Sequence, residues 1–384
     1  MVPATDLSLS THFAALDDPR VERTKRHRLL DILTIALCAV ICGADTWVEV
    51  EEFGKAKEAW FATFLELEQG IPSHDTFGRV FARLDPEQFG RCFLSWVQAI
   101  QHVLPRPASQ QEVIAVDGKA LRRSHDRGAG KAAIYMVSAW ATGRRLVLAQ
   151  RQVDEKSNEI TALPVLLRQL ALSGCIVTID AMGCQTTIAR QIVEQGGDYV
   201  LALKGNHGTL AADVALMFTE GRATGFQGIA HDTYTTTEKD HGWLEIRRHW
   251  TIQDPEYIAY LNPTGHWAGL RGMGMVEEER RVGARVSTEW RYYILSRPLA
   301  ARPFGDAVRS HWGVENRVHW ILDVAFREDE SRLRTDHSPA NMAILRHMAL
   351  NLLTQERTAK VGTKAKRLKA GWDPAYLLTV LQAN

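Results

Sequence analysis

Residues 175–206, CIVTIDAMGCQTTIARQIVEQGGDYVLALKGN, decide the fold. Two apolar runs rich in β-branched residues, CIVTIDAMG and DYVLALKGN, flank the helical segment TTIARQIVEQGG. Such runs are typical of strands buried on both faces. Upstream, EVIAVDGKAL, AAIYMVSAWA and RLVLAQRQV have strand character, the last two around the turn TGRR, and EITALPVLLRQLAL is helical. The order β-β-β-α-β-α-β predicts an α/β fold with a mixed sheet and flanking helices.

The regions on either side of this core have a different character. Residues 1–105 have the apolar spacing of helices almost throughout. Within them, the helix–turn–helix cadence of residues 73–95, with Arg79 and Arg83 exposed, fits a DNA-contacting helix and two helices of a small bundle equally well. Residues 208–299 contain four strand-like stretches and are predicted to form a β-rich insertion.

The amino-acid composition is that of a soluble protein rather than a membrane or secreted one. The 384 residues are 45% hydrophobic and 24% charged, with a net charge of +1, as in an ordinary soluble globular protein. The five cysteines lack zinc-ligand spacing, which favours buried thiols of a reducing compartment. The apolar segment 29–44 contains Asp31 and is shorter than the roughly 20 residues of a spanning helix. The start of the chain lacks the continuous apolar run of a secretory signal. We expect a soluble, cytoplasmic protein with no membrane partner.

Two aspartates stand where ligand sites of such sheets are found. The runs IAVD and IVTID are predicted strands that end in Asp117 and Asp180. Ligands of open α/β sheets bind at the carboxyl ends of strands. A carboxylate directly after a buried strand carries a desolvation cost that a metal ion can offset. An aspartate that caps the following helix is the alternative for either one alone.

A third carboxylate comes from the stretch HWGVENRVHWILDVAFRED, residues 311–329. Four polar side chains recur there at four-residue intervals, which on one α-helix predicts a polar stripe of His311, Glu315, His319 and Asp323. The stripe is either a solvated face or one wall of a metal site, with an apolar face beside it at Val314, Val318, Ile321 and Ala325.

The ligand types favour hard cations at this predicted site. Three carboxylates without cysteine suit Mg²⁺ or Mn²⁺, and two such ions can support phosphodiester chemistry. A zinc site of His311, Glu315 and His319 is a weaker alternative. Residues eight apart lie about 12 Å apart along a helix, and the HExxH pattern is absent.

Several longer motifs resemble the ISAs-type, or H-repeat-associated, transposases of bacterial insertion sequences. The resemblance runs from about residue 18 to residue 355 and rests on DPRVERTKRHRLLDILTIALCAVICGADTW, EEFGKAKEAW, GIPSHDTFGRVFARLDP, AVDGKALRRSHD, KSNEI, IVTIDAMGCQ, DYVLALKGN and HWGVENRVHWILDVAFRED. It implies a ribonuclease-H-like mixed sheet with flanking helices, interrupted by a β-rich insertion and preceded by an all-helical domain. It also implies a DDE catalytic triad at Asp117, Asp180 and Glu315.

The resemblance divides the chain into predicted domains. These are a helical, transposase-associated domain at 1–105, for which DNA binding is one of two alternatives, a catalytic domain at 106–207 and 300–355, the insertion at 208–299, and a basic C-terminal segment at 356–384. The basic segment is either a solvated tail or a contact to the phosphate backbone.

The implied enzyme cleaves DNA at the ends of its element and joins the 3′-hydroxyl to target DNA. Its partners are the terminal repeats and the target, and at least a dimer is expected in the DNA complex. Two Mg²⁺ or Mn²⁺ ions are implied, Asp117 bridging both while Asp180 and Glu315 each hold one. Two alternatives remain open: a hydrolytic nuclease on the same fold, and a catalytically silent, DNA-binding relic.

Basic and polar residues near the triad are predicted DNA contacts. The wider superfamily often places Tyr, Arg and Lys around its glutamate, but Val308, His311 and Leu322 occupy those places here. The phosphate contacts are therefore assigned to other side chains, for several of which a solvated role is the alternative: Lys119, Arg122, Arg123, Lys204, Arg309, His311, Asn316 and His319.

Overall fold

The computed structural model describes residues 6–105, 111–125, 130, 132–153, 159–240 and 242–382. The motif KSNEI lies partly outside these ranges. The chain forms two compact units: a first unit of residues 1–108, 118–158 and 315–384, and a second unit of residues 109–117 and 159–314.

The described residues form helices and strands along the whole chain. The helices are α1 (Leu9–Phe13), α2 (Leu29–Ile41), α3 (Trp47–Ala56), α4 (Glu58–Phe61), α5 (His74–Arg83), α6 (Pro86–Val103), α7 (Glu159–Arg168), α8 (Thr186–Glu194), α9 (Gly208–Ala223), α10 (Pro255–Leu261), α11 (Ala301–Val314), α12 (Trp320–Ala325), α13 (Ser338–Gln355), α14 (Thr363–Trp372) and α15 (Pro374–Leu381). The strands are β1 (Val113–Ala120), β2 (Tyr135–Ala141), β3 (Leu146–Val153), β4 (Ile176–Ile179), β5 (Asp198–Leu203), β6 (His231–Asp240), β7 (Trp243–Ile252), β8 (Gly272–Val282) and β9 (Arg285–Leu295).

The N-terminal part of the first unit is helical, as predicted. Thr46 begins α3 with a capping box, and the Ser73 side chain accepts a hydrogen bond from a backbone N–H of α5. Helices α5 and α6 bury Phe77, Phe81 and Phe89, while Arg79 and Arg83 remain exposed. The buried phenylalanines fit a helical bundle. Because the two arginines are exposed, a DNA contact by α5 stays a prediction.

Helix α13 is the central element of the first unit. All its residues except Thr354 are buried, and it contacts α2, α5, α6 and β3. Because α13 carries polar residues on every face, these residues need internal partners. The Asn341 amide donates to the carbonyls of Phe81 and Leu84, at 2.8 and 2.9 Å.

The second unit contains the mixed sheet. Its strand order is β1-β4-β5-β9-β8-β7-β6. Strands β1, β4 and β5 are parallel, whereas β9 pairs with β5 in the antiparallel sense and β8, β7 and β6 follow as an antiparallel meander. The predicted order β-β-β-α-β-α-β and the mixed sheet are therefore confirmed.

The strands predicted in the insertion extend the same sheet, because Leu201 of β5 pairs with Ile294 of β9. Helices α9 and α10 also lie in this region and were not predicted. Apolar side chains from the parallel strands, from β8 and β9 and from α11 form one core, including Val113, Ile176, Val200, Val276 and Phe304.

Two local predictions were wrong. Strand β1 does not end at Asp117 but continues to Ala120. Residues 311–325 are not one regular α-helix, because α11 ends at Val314 and a π-helical turn, Glu315–His319, separates it from α12. A π turn holds more residues than an α turn, so α12 does not continue the phase of α11. The predicted stripe of four side chains is therefore broken.

The basic C-terminal segment is folded rather than a solvated tail over its described residues. It forms α14 and α15, and both Lys366 and Arg367 are buried. The Lys366 ammonium donates to the Leu353 carbonyl at 2.9 Å, and Arg367 donates to the Val40 carbonyl at 2.8 Å. None of the helices in the described ranges has the length and apolarity needed to cross a lipid bilayer.

Asn351 provides a test of the packing around α13. Its amide pairs with the edge of β3, accepting from the Val147 N–H at 2.8 Å and donating to the Val147 carbonyl at 2.9 Å. Asn351→Leu leaves both buried backbone groups without partners, so we expect the free energy of unfolding to fall by about 2–5 kcal/mol in urea titrations. Gln69→Leu, at an exposed position of the same unit, is the control, with an expected change within about 0.5 kcal/mol. Equal effects of the two substitutions would contradict the role of Asn351.

Candidate active site

The parallel register of the second unit puts Asp117 and Asp180 side by side. Strands β1 and β4 pair from Val113↔Ile176 to Val116↔Ile179, and the next residue on each strand is one of the two aspartates. Neighbouring strands are about 4.8 Å apart, and residues paired in register point to the same face of the sheet. Both aspartates are half-buried. The carboxyl end of the parallel strands therefore carries a pair of carboxylates.

A tight turn fixes the Asp180 side chain. The backbone N–H groups of Met182 and Gly183 both donate to Oδ1 of Asp180, at 3.1 and 3.2 Å. A Cβ atom at Gly183 would lie only 2.3 Å from Cγ2 of Ile179 and 2.7 Å from Cδ1 of Leu163, so glycine is required for the close approach. The two bonds orient the carboxylate and leave Oδ2 available for a ligand.

His311 lies next to this aspartate. Its Nδ1 atom and the Thr178 hydroxyl are hydrogen-bonded at 3.1 Å, and Thr178 is the residue of β4 two positions before Asp180. Burial lowers the pKa of His311, although the negative charge of Asp180 acts in the opposite direction. The imidazole is therefore neutral at pH 7 and ties α11 to the strand that precedes Asp180.

Glu315 begins the π-helical turn of the first unit. Its side chain is exposed, whereas Val318 in the same turn is fully buried. Single π turns inside α-helices are rare and are frequent at functional sites. The structure thus gives Glu315 a special local backbone, while Asp117 and Asp180 belong to the second unit.

The two aspartates fit a divalent cation by ligand chemistry. Mg²⁺ and Mn²⁺ prefer oxygen ligands, and Mg²⁺ commonly uses one or two carboxylates together with water and substrate phosphates. Within the described ranges, no group of three or more His, Cys, Asp or Glu side chains has the geometry of a complete metal site. The carboxylate pair offers part of the oxygen ligand set that such an ion binds.

Some of the residues predicted to contact DNA form ion pairs within the protein, and others are exposed. Lys119 binds the carboxylates of Asp323 and Glu328, and Arg309 pairs with Glu238 at 2.6 Å. A further ion pair joins Arg122 to Asp329, and the exposed side chains among the remaining predictions are Arg123, Lys204 and Asn316. The DNA-binding roles of all these residues stay predictions.

A group of three arginines in the first unit, the arginine cluster, was not predicted from the sequence: Arg317 and Arg357 lie within electrostatic range of Arg145. Arg145 ends the β2–β3 turn with a positive φ of 54°, and the Gln355 amide donates to its carbonyl at 3.2 Å. This bond holds the turn at the end of α13, two residues before Arg357. Partial burial and the positive charges of Arg317 and Arg357 lower the pKa of Arg145. Because the three side chains carry like charges, an anion bound among them would relieve their repulsion.

Two features of the sequence contain members of this cluster: the RR pair of the turn TGRR and the basic C-terminal segment. Its members come from three distant parts of the chain, and no spacing rule joins them. Tertiary packing alone brings them together.

Gly183 provides a test of the turn that holds Asp180. Gly183→Ala should lower the free energy of unfolding by about 1–3 kcal/mol, because the new methyl group overlaps the stiff side chain of Ile179. Gly90→Ala in α6 is the matched control, since a Cβ atom there meets no atom within 4 Å. That variant should be unchanged or up to about 1 kcal/mol more stable. Thermal and urea unfolding measure both, and a neutral Gly183→Ala would contradict the packing described here.

The chain is similar over nearly its whole length to proteins named as putative transposases. A family described as "Transposase DDE domain" matches residues 108–352, and one described as "DDE_Tnp_1-associated" matches residues 10–97. The "H repeat-associated putative transposase YhhI" of Escherichia coli strain K12 is 38% identical over 380 residues, which is 98% of each chain. The "Putative transposase YncI" of Escherichia coli O157:H7 is 37% identical and covers 97% of this chain and 94% of its own.

A third relative, the "Uncharacterized protein in dhlA 3'region" of Xanthobacter autotrophicus, is 46% identical over 285 residues, covering 74% of this chain and 92% of its own. The family match alone covers more than half of the chain. The resemblance to H-repeat-associated transposases is confirmed, and the chain belongs to the DDE transposase family.

Proposed function

We propose that this protein is an active DDE transposase, which cleaves DNA at the ends of an insertion sequence and transfers the 3′-hydroxyl to target DNA. The observation that carries the proposal is the pair of aspartates at adjacent register positions of β1 and β4, in a chain of the DDE transposase family. The proposed catalytic domain is ribonuclease-H-like, with residues 106–207 and 300–355 interrupted by 208–299.

In the proposed site, Asp117, Asp180 and Glu315 would hold two Mg²⁺ or Mn²⁺ ions. When bound, such ions activate the attacking oxygen and stabilise the leaving oxygen of a phosphodiester. The attacking group is water in the cleavage step and the DNA 3′-hydroxyl in the joining step, so no covalent protein–DNA intermediate forms.

The chain's own residues contribute orientation and charge. The N–H groups of Met182 and Gly183 keep the Asp180 carboxylate fixed before substrate arrives, which lowers the cost of ordering the site. The neutral His311 supports the same strand without adding a positive charge. Holding two element ends together requires at least two copies of the chain in the DNA complex.

The triad can be tested with near-isosteric variants. Asp117→Asn and Glu315→Gln should each reduce strand cleavage and strand transfer by about 10³-fold or more, because each removes a charge needed in the transition state. DNA affinity without metal should change little. Cleavage of a labelled element end and formation of joined product are measured in one assay, with Glu330→Gln, an exposed acid paired with Arg327, as the control.

The same assay separates the alternative functions. Cleaved but unjoined DNA from the unaltered protein would indicate a hydrolytic nuclease. DNA binding without any cleavage would indicate a catalytically silent relic. Normal cleavage by Asp117→Asn or Glu315→Gln would overturn the assignment of the triad.

We predict that the arginine cluster contributes part of the protein's affinity for DNA. If Arg145 and Arg357 each contact a phosphate, the double Ala variant should bind DNA more weakly, and the slope of log K against log salt should become shallower by about 0.9 per lost contact. Fluorescence anisotropy from 50 to 300 mM salt, roughly the range over which such binding falls steeply, measures the slope. The control is Arg151→Ala, which removes an arginine already paired with Glu87 at 3.0 Å. Identical slopes for both variants would show that the cluster does not bind phosphate.

A further inference from the structure

A buried group of charges in the first unit is unexplained by the proposed catalytic roles. We call it the Lys119 cluster: Lys119, Asp323, Glu328 and Arg346. The Lys119 ammonium binds the carboxylate of Asp323 and that of Glu328, the latter at 2.9 Å, and Arg346 approaches Glu328 at 3.6 Å. The side chains of Lys119, Glu328 and Arg346 are only 13%, 2% and 3% exposed.

These charges depend on one another. Burial alone would raise the pKa of Glu328, but the positive charges of Lys119 and Arg346 outweigh it and lower that pKa. His347 beside them is neutral, because burial lowers its pKa to about 4. Removing one partner leaves a buried charge uncompensated, which costs several kcal/mol, so the cluster has one favoured arrangement.

The members of the cluster follow the proposed catalytic residues along the chain. Lys119 lies on β1 two residues after Asp117, on the same face of the strand. Asp323 lies eight residues after Glu315, on α12, which is the helix that directly follows the π turn. The ion pair between Lys119 and Asp323 thus joins the continuation of the Asp117 strand to the helix that continues the Glu315 turn.

Helix α12 has a second anchor at its other end. Arg367 donates to the carbonyl of Ala325, the last residue of α12, and its guanidinium stacks on Phe326 at 4.2 Å. Arg327 then adopts a positive φ of 50° and directs the chain into the short turn that carries Glu328. A non-glycine residue in this conformation is strained, and the surrounding contacts must offset that strain.

We propose that Lys119 is a positioning residue, which through Asp323 and Glu328 fixes the segment bearing Glu315 to the strand bearing Asp117. The proposal rests on the proposed function, because it concerns how the triad is held. It assigns to Lys119 a structural contact with carboxylates, in place of the phosphate contact expected from the sequence. A displacement of a metal ligand by about 1 Å is enough to reduce catalysis about 10²-fold.

The test uses the full chain with Lys119→Met, Lys119→Arg and Asp323→Asn. Lys119→Met should lower single-turnover cleavage at saturating DNA by about 10²-fold. It should also raise the Mn²⁺ concentration for half-saturation, measured by electron paramagnetic resonance on the DNA-bound protein, by about 10-fold or more. Asp323→Asn should produce smaller changes in the same direction, because Glu328 still binds Lys119. Lys119→Arg should restore part of both properties.

Two comparisons separate positioning from other roles. Asn351→Ala destabilises the same unit away from the cluster, so at a temperature where both variants are folded it should leave Mn²⁺ half-saturation unchanged. A phosphate contact by Lys119 would appear instead as a salt slope shallower by about 0.9 in Lys119→Met, with unaltered Mn²⁺ binding.

The proposal is overturned if Lys119→Met retains the Mn²⁺ half-saturation of the unaltered protein, or if Asn351→Ala changes it equally. If Lys119→Met does not fold, the same criteria apply to Asp323→Asn, whose side chain is 32% exposed. If the unaltered protein binds Mn²⁺ with the expected dependence on Lys119 but does not cleave DNA, the positioning role stands and the proposed function fails.

Discussion

Compensation of buried charge constrains the first unit more than any other interaction. Glu328 and Arg346 are almost fully buried, and the positive charges of Lys119 and Arg346 keep the pKa of Glu328 low despite its burial. Helix α13, which carries Arg346, is buried along nearly its whole length. Hydrophobic packing would tolerate small shifts of such a helix, but paired charges in a low-dielectric interior do not. The cluster therefore determines where the end of β1 and the segment after α12 lie on α13.

In the second unit, the corresponding constraint is strand register. Because the side chains of a strand alternate between faces, a slip of one residue between β1 and β4 would turn one aspartate away from the other. The register is held by apolar side chains such as Val113 and Ile176, which are part of the core. The carboxylate pair is thus a consequence of packing several residues away. The close approach at Gly183 adds the orientation that register alone does not give.

The sequence predicted the elements well where one periodicity holds over a whole segment. The parallel strands around Asp180, the mixed sheet and the helical N-terminal region were all foreseen. The π turn at Glu315 was not, because the four-residue spacing from His311 to Asp323 fits one continuous α-helix. The continuation of β1 to Ala120 was missed because the residues after Asp117 are polar or small. Their strand conformation depends on tertiary contacts, including those of Lys119. A local sequence pattern does not contain such contacts. The triad and the DNA contacts stay predictions.

The chain passes from the second unit to the first directly after Asp117, and does so again directly before Glu315. Each of the two residues is therefore flanked by one anchor in each unit. For Asp117 these are the pairing of Val116 with Ile179 before it and the Lys119 cluster after it. For Glu315 they are the bond between His311 and Thr178 before it and the bond between Asp323 and Lys119 after it. Lys119 belongs to the contacts that follow Asp117 and to those that follow Glu315, and this shared membership is the basis of its proposed positioning role.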